Sequence, residues 1–313
     1  MARKKTPQFD LSQLDTEQPN AASRELDTKS ALEIARIINA EDKKVATAVE
    51  RALPKIATAI DWAAKALRNG GRLIYVGAGT SGRIAALDAA ECPPTFNTQP
   101  RMVQFVMAGG AKALAGAIEA DEDSRKLGIQ ELRRRKPNKK DVVIGLAASG
   151  RTPFTVAALE YARHAGAKTI AITSNPRTPI TKAAELSIVV ETGSEVVAGS
   201  TRMKAGTAEK MVLNMISTGT MVRLGYVYGN LMVNLHRKNS KLAERSLGIV
   251  QQALGLDSKA SVVALKRAGN NVPVAIVMSN VGVSRAIAQQ ALAQSAGHVR
   301  NAVALAKKMQ VKS

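Results

Sequence analysis

Residues 72–91 read RLIYVGAGTSGRIAALDAAE. A short run of β-forming residues, Arg72 to Val76, leads into Gly77-Ala78-Gly79-Thr80-Ser81-Gly82-Arg83, and a segment of helical pattern from 82 to 91 follows. Strand, glycine-rich turn and helix in that order form the opening of a parallel α/β unit. The turn matches G-x-G-x-x-G, the dinucleotide fingerprint. That fingerprint also needs a carboxylate about 20 positions further on, at the end of the second strand, to hold a ribose. The second strand here ends in Ala108-Gly109-Gly110, which argues against a nicotinamide cofactor. The turn instead offers small residues that let backbone N–H groups approach a ligand, two hydroxyls and the positive end of a helix. Those are the parts of a phosphate site.

A second loop repeats the design. The run Asp141 to Leu146 leads into Ala147-Ala148-Ser149-Gly150-Arg151-Thr152, so the triplet Ser81-Gly82-Arg83 recurs as Ser149-Gly150-Arg151 before another helical segment. Two hydroxyl-bearing turns at one sheet edge can converge on a single phosphate. A third loop, Gly199-Ser200-Thr201-Arg202-Met203-Lys204-Ala205-Gly206-Thr207, adds hydroxyls and two cations ahead of a long helical segment, Thr207 to Leu224.

Further β-forming runs lie at Met102 to Met107, Lys168 to Thr173 and Leu186 to Val190, with helical segments at 111–135, 153–164 and 178–184. Strands alternating with helices predict an α/β fold, a doubly wound parallel sheet with ligand loops at the carboxyl ends of its strands. Upstream, Ser30 and Glu33 form a capping box for a helix that continues past a bend expected at Pro54 and stops at Gly70-Gly71. After Gly206 the pattern is helical almost to the end. The expected organisation is a loosely ordered tail over 1–25, an α/β domain carrying the phosphate loops over 26–239 and a small helical C-terminal subdomain over 240–313. Within the last, Val272 to Met278 reads equally as strand or helix.

Composition narrows the class. A chain of 313 residues that is 45% apolar can bury a substantial core. The first 25 residues lack an apolar run of secretory type, no stretch is long enough to span a membrane, and the single cysteine, Cys92, excludes an intramolecular disulfide. A cytoplasmic protein is expected. The net charge of +20 suggests nucleic acid, but aromatic residues amount to only 3%, too few for base-stacking platforms, and the basic residues are spread out. A positive field also raises the encounter rate of small anionic substrates. The histidines, His164, His236 and His298, stand alone, and no Cys/His cluster is spaced to hold a metal.

The loops carry a family likeness. GAGTSGR (77–83), DAAECPPT (88–95), AIEADED (117–123), AASGRTPF (147–154), GSTRMKAGTAEKMVLNM (199–215) and YGNLMVN (228–234) closely resemble the N-acetylmuramic acid 6-phosphate etherases, from about residue 25 to residue 305. That family is built on the sugar isomerase, or SIS, domain, with the glucokinase regulatory protein as a distant relative. The chain departs from the family pattern at Ile84-Ala85-Ala86, which is less bulky than usual, and at Asp121, which adds a negative charge beside Glu122.

The resemblance implies a substrate with a lactyl ether on C3, a latent aldehyde at C1 and a phosphate on C6, and products N-acetylglucosamine 6-phosphate and D-lactate. Elimination across C2–C3 is easier than direct hydrolysis, because the C2 proton lies next to the open-chain carbonyl. It needs a base at C2, an acid at the C3 oxygen and later a base to direct water, so two carboxylates suffice without metal or redox cofactor. By resemblance Glu122 is the base at C2 and Glu91 the acid that releases lactate and then activates water. Ser81, Ser149, Gly150 and Thr152, with Thr80 as an alternate, are the phosphate-binding candidates. Ser200, Arg202 and Lys204 are candidates for further substrate contact, and Glu195 for ring opening or orientation. The expected partners are the phosphosugar and a second copy of the chain, since SIS-type sites are commonly completed across a homodimer. Two other functions fit the phosphate loops: a non-catalytic sugar-phosphate regulator, and a phosphosugar aldose-ketose isomerase.

Overall fold

The computed structural model describes residues 14–116, 119–234 and 240–311. Packing divides the chain into two units, Met1–Ala89 with Arg101–Ile216, and Ala90–Pro100 with Ser217–Ser313. In the first, β1 (Leu73–Gly77), β2 (Val103–Met107), β3 (Val142–Leu146), β4 (Lys168–Thr173) and β5 (Leu186–Val189) form a parallel sheet in the order β2-β1-β3-β4-β5. Each strand ends within one residue of its expected segment. The helices are α1 (Ala31–Arg68), α2 (Gly79–Phe96), α3 (Glu119–Glu122), α4 (Arg125–Arg134), α5 (Pro153–His164), α6 (Pro179–Ala183) and α7 (Lys204–Arg223). This is the doubly wound α/β fold expected. α2 and α7 each run past the boundary between the units.

β1 and β3 are buried along their whole length, as strands covered on both faces must be. Ile74, Val76, Val143 and Ala171 share one core with Leu132 of α4, Phe154, Ala158, Leu159 and Ala162 of α5, and Ile180 of α6. Burying side chains the size of Leu or Phe contributes about 1.5–3 kcal/mol each. Successive side chains alternate across a strand, so Tyr75 leaves that core, and its hydroxyl donates to Asp88 Oδ2 on α2 at 2.8 Å. Asn214 of α7 donates to the other oxygen of Asp88, also at 2.8 Å. One buried carboxylate thus ties the first strand to two helices.

The α1 capping box forms as its sequence requires, with Ser30 N donating to Glu33 Oε2 at 2.9 Å and Glu33 N donating to Ser30 Oγ at 3.4 Å. The helix runs without a break through Pro54 and ends before Gly70, whose φ is +74°. Residues 1–13 of the expected tail lie outside the described residues. From Leu14 onward the segment is tied down by polar contacts. Asn175 donates to Thr16 Oγ1 at 3.0 Å, Asn20 donates to the Ser194 carbonyl at 3.0 Å, and Ser23 donates to the Val196 carbonyl at 2.7 Å. No apolar periodicity announces such a strap, because hydrogen bonds hold it.

The second unit is a helical cluster with one hairpin. β6 (Val227–Tyr228) and β7 (Leu231–Met232) pair antiparallel around Gly229-Asn230, a two-residue hairpin signal inside a region read as helical. The helices are α8 (Ser240–Leu254), α9 (Ser258–Arg267), α10 (Val272–Val281), α11 (Arg285–Gln294) and α12 (Val299–Gln310). Tyr228, Leu231 and Val233 join the same core as these helices, so the unit includes the hairpin and begins well before residue 240. The ambiguous run at 272–278 is helix. Asn271 caps it by accepting from Val274 N at 3.0 Å, Pro273 sits in its first turn, and Gly282 closes it at φ +74°. Among the described residues no single helix is long and apolar enough to cross a membrane.

Two close contacts in the first unit generate predictions. A Cβ on Gly128 of α4 would lie 2.1 Å from the Phe154 carbonyl oxygen at the start of α5. Gly128→Ala should therefore push the two helices apart and cost about 1–3 kcal/mol, measured by urea denaturation. The second contact is the buried pair of Lys204 (2% exposed) and Glu41 (4%), with Nζ 2.6 Å from Oε2. Burial would raise the Glu41 carboxyl, but hydrogen bonds from Lys204 and Lys44 outweigh it and bring the pKa down to about 2 from 4.5. A depressed carboxylate contributes stability that is complete above the unfolded pKa and lost as pH falls through the folded one. Lys204→Met should cost about 3–5 kcal/mol at pH 7 by leaving a buried carboxylate half paired. The deficit relative to wild type should shrink between pH 5 and about 2, where Glu41 takes up its proton.

Candidate active site

β1 and β3 are neighbours in register, with Gly77 opposite Leu146. The connection from β1 leads to β2 on one side, and that from β3 leads to β4 on the other. Where the strand order reverses, the loops diverge and leave a crevice, which is the ligand position in open α/β sheets. The segments that carry the two Ser-Gly-Arg triplets leave the sheet at that point, the first triplet lying within α2 and the second in the turn before α5. Each opens a helix, α2 at Gly79 and α5 at Pro153, and helix N-termini favour anions.

In the first turn, Gly79 has φ +52°, and a Cβ built on it would lie 3.0 Å from Glu122 Oε1. The missing side chain is what lets the Glu122 carboxylate approach the turn. Glu122 closes the short helix α3 and is partly exposed. Thr80 is half-buried and Ser81 buried, and the Ser81 hydroxyl lies 2.9 Å from Glu209 Oε1. Arg83 donates to the Gly116 carbonyl at 3.0 Å.

In the second turn, Gly150 has φ +70°, and a Cβ there would lie 2.1 Å from Thr178 Oγ1. Its N–H donates to the Ala147 carbonyl at 2.8 Å, so Gly150 shapes the turn rather than offering a free donor. Ser149 Oγ accepts from Arg151 N at 3.3 Å, which leaves its own hydrogen to donate. Thr152 is the N-cap residue of α5, yet its side chain accepts no bond from the helix. Both hydroxyls are only partly buried.

The third loop departs from expectation. Glu195 is fully buried and caps α7, accepting from Lys204 N at 3.0 Å and Ala205 N at 2.9 Å, while burial pushes its carboxyl upward against those two bonds. Lys204 is committed to Glu41. Neither presents its charge to a ligand, because at the start of α7 the backbone donors and the ammonium are satisfied inside the protein. Ser200 is half-buried and Arg202 exposed. The loop still borders the first turn, since a Cβ on Gly206 would lie 3.5 Å from Thr80 Cγ2.

Glu91 is exposed on α2. The helix does not stop at the following Cys92-Pro93-Pro94 but continues to Phe96. Proline supplies no N–H, so the carbonyls of Ala89 and Ala90 have no helical donor four residues on. Sequence reasoning missed Glu209, which is buried, has Ser81 as the partner of one oxygen and finds no hydrogen bond for Oε2 among the described residues. It also missed Asp88, which fixes α2 between Tyr75 and Asn214. Both lie within the quoted motifs, but nothing in their spacing shows what they touch.

Residues 55–163 match the glucokinase regulatory protein N-terminal SIS domain, and residues 134–219 match the SIS domain. Among solved structures, a phosphoheptose isomerase from Neisseria gonorrhoeae is 17% identical with a TM-score of 0.49, covering 61% of this chain and 98% of that one. N-acetylmuramic acid 6-phosphate etherase from Aliivibrio fischeri (strain MJ11) is 47% identical over 94% of this chain and 98% of its own length. The protein of that name from Klebsiella aerogenes is 48% identical over the same shares. That from Symbiobacterium thermophilum is 53% identical over 88% of this chain and 91% of its own length. Likeness of this degree along nearly the whole of both chains places the chain in the N-acetylmuramic acid 6-phosphate etherase family.

Proposed function

We propose that the protein cleaves the D-lactyl ether of N-acetylmuramic acid 6-phosphate, giving N-acetylglucosamine 6-phosphate and D-lactate, in the recycling of cell-wall amino sugars. Family membership supports the reaction, and the observation that carries the site is the approach of Glu122 to Gly79 in the first phosphate turn. A carboxylate beside the turn that anchors C6 is suited to proton transfer on the same sugar. The reading gives the phosphate to the hydroxyls of Ser81, Ser149 and Thr152, with Thr80 in reserve and the N-termini of α2 and α5 behind them. Ser200 and Arg202 remain candidates for further contact.

In this reading Glu122 takes the C2 proton of the open-chain sugar, made acidic by the neighbouring carbonyl. Glu91 gives a proton to the C3 oxygen as D-lactate leaves, and then, as a carboxylate, directs water onto C3 of the unsaturated intermediate. Each proton transfer is worth roughly 10²–10⁴ in rate. We take the working form to be a cytoplasmic homodimer, which sedimentation of the purified protein tests. A single, buried cysteine suits a reducing compartment.

The purified protein, with EDTA present and no added cofactor, should release D-lactate from N-acetylmuramic acid 6-phosphate and turn over the unphosphorylated sugar far more slowly. Ser149→Ala should raise KM by about tenfold, the worth of a hydrogen bond to a charged group. Equal turnover of both sugars would refute the phosphate assignment.

The two glutamates separate in D₂O. Glu122→Gln should abolish both lactate release and exchange of the C2 hydrogen. Glu91→Gln should stop lactate release yet allow C2 exchange in bound substrate. Exchange that survives in Glu122→Gln and is lost in Glu91→Gln would reverse the roles, and circular dichroism checks that both variants fold.

A further inference from the structure

The buried carboxyl of Glu209 has no place in the chemistry above. It projects from the first turns of α7 and meets Ser81 on α2, with Glu209 Oε1 2.9 Å from Ser81 Oγ. The separation suits either direction of donation. A carboxylate can only accept, so it would claim the one hydroxyl hydrogen of Ser81. Ser81 would then face a phosphate with lone pairs alone, and a second negative charge would stand behind it. A protonated carboxyl reverses the bond. It donates to Ser81 Oγ, and the hydroxyl hydrogen becomes free to point outward.

We propose that Glu209 is a positioning residue for the substrate phosphate: as a neutral acid it donates to Ser81 Oγ and so turns the Ser81 hydroxyl into a donor toward a phosphate oxygen. The inference rests on the assignment of Ser81 to the phosphate made above. Two further observations support it. Glu209 Oε2 is buried and has no hydrogen-bond partner among the described residues, and an ionised carboxylate with one bare buried oxygen is costly, whereas a neutral carboxyl carries far less charge to leave unsolvated. Burial also raises the pKa of the group to about 8, with only the Ser81 bond acting in the other direction.

The charged groups on the packed elements are engaged elsewhere. On α2, Arg83 donates to the Gly116 carbonyl, and Asp88 accepts from Tyr75 and Asn214. On α7, Lys204 is paired with Glu41 and Lys210 is exposed. Glu122 lies against Gly79, two residues before Ser81. None of them neutralises a Glu209 carboxylate by direct contact in these interactions.

The arrangement predicts a pH-dependent KM. A raised carboxyl pKa means the productive, protonated form prevails below about pH 8 and is lost above it. Apparent affinity falls with the competent fraction, so KM for the phosphorylated sugar should rise by about tenfold from pH 7 to pH 9. The substrate phosphate is already a dianion across this window, its second pKa being about 6. Glu209→Gln keeps a donor toward Ser81 that cannot ionise, and the ratio of KM at pH 9 to KM at pH 7 should fall to near one. Glu209→Met keeps the bulk but loses the donor, and KM should be raised already at pH 7.

Steady-state kinetics of wild type and the two variants between pH 6.5 and 9.5 provide the test, with thermal melts to confirm folding. An independent readout is the infrared difference spectrum of wild type minus Glu209→Gln at pH 7, in which a protonated carboxyl band is expected. An alkaline rise in KM that persists in Glu209→Gln, or a carboxylate band at pH 7, would overturn the proposal. Ser81→Ala separates this inference from the site assignment. A KM unaffected in Ser81→Ala refutes the phosphate role of Ser81 itself, and a raised KM there with a wild-type pH profile in Glu209→Gln refutes only the role of Glu209.

Discussion

A parallel sheet covered on both faces leaves a ligand only the ends of its strands, and that constraint governs this protein. β1 and β3 are buried from end to end, so the sheet itself presents no polar side chains there and the polar groups lie in the segments beyond the strand ends, such as those after Gly77 and Leu146. Those loops sit where the strand order reverses, and each passes directly into a helix whose N-terminus carries partial positive charge. Glycine at 79 and 150 is needed because the backbone there has positive φ and a close neighbour. In the first turn that neighbour is Glu122, and in the second it is Thr178.

Buried polar groups hold the supporting helices in place. Asp88 receives Tyr75 from the sheet and Asn214 from α7, Glu195 closes the N-terminus of α7, and Lys204 of the same helix reaches Glu41 on α1. Such contacts are directional and costly to leave half made. They fix the start of α7 against the segment that follows β1, and this positions Glu209 behind Ser81. Lys204 and Glu195 therefore work inside the protein, although in sequence they look available to a ligand.

Periodicity and turn chemistry made the sheet and most helices legible. Strand runs such as Asp141 to Leu146 are bounded by glycine-bearing turns, and α1 announces itself through Ser30, Glu33 and the glycines after Arg68. The hairpin at 227–232 was missed because two-residue strands are too short to show a period, although Gly229-Asn230 carried the turn signal. The run at 272–278 was ambiguous by hydrophobicity, and only the caps at Asn271 and Gly282 decide it. The strap from Leu14 to Ser23 was illegible for another reason, since its partners lie more than 150 residues away and the bonds are polar.

By itself the sequence determined the α/β class and the recurrence of Ser-Gly-Arg after two strands, because these follow from local patterns of residues along the chain, and it offered Glu91 and Glu122 as candidates through family resemblance. Tertiary structure decided which of the charged groups near the site are committed elsewhere. Glu195 and Lys204 are taken up by capping and pairing, Gly150 spends its N–H within its own turn, and Glu209 lies buried behind a serine. Burial and hydrogen-bond partnership set the charge and the donor direction of a polar group, and both depend on residues far away in sequence that only folding brings together.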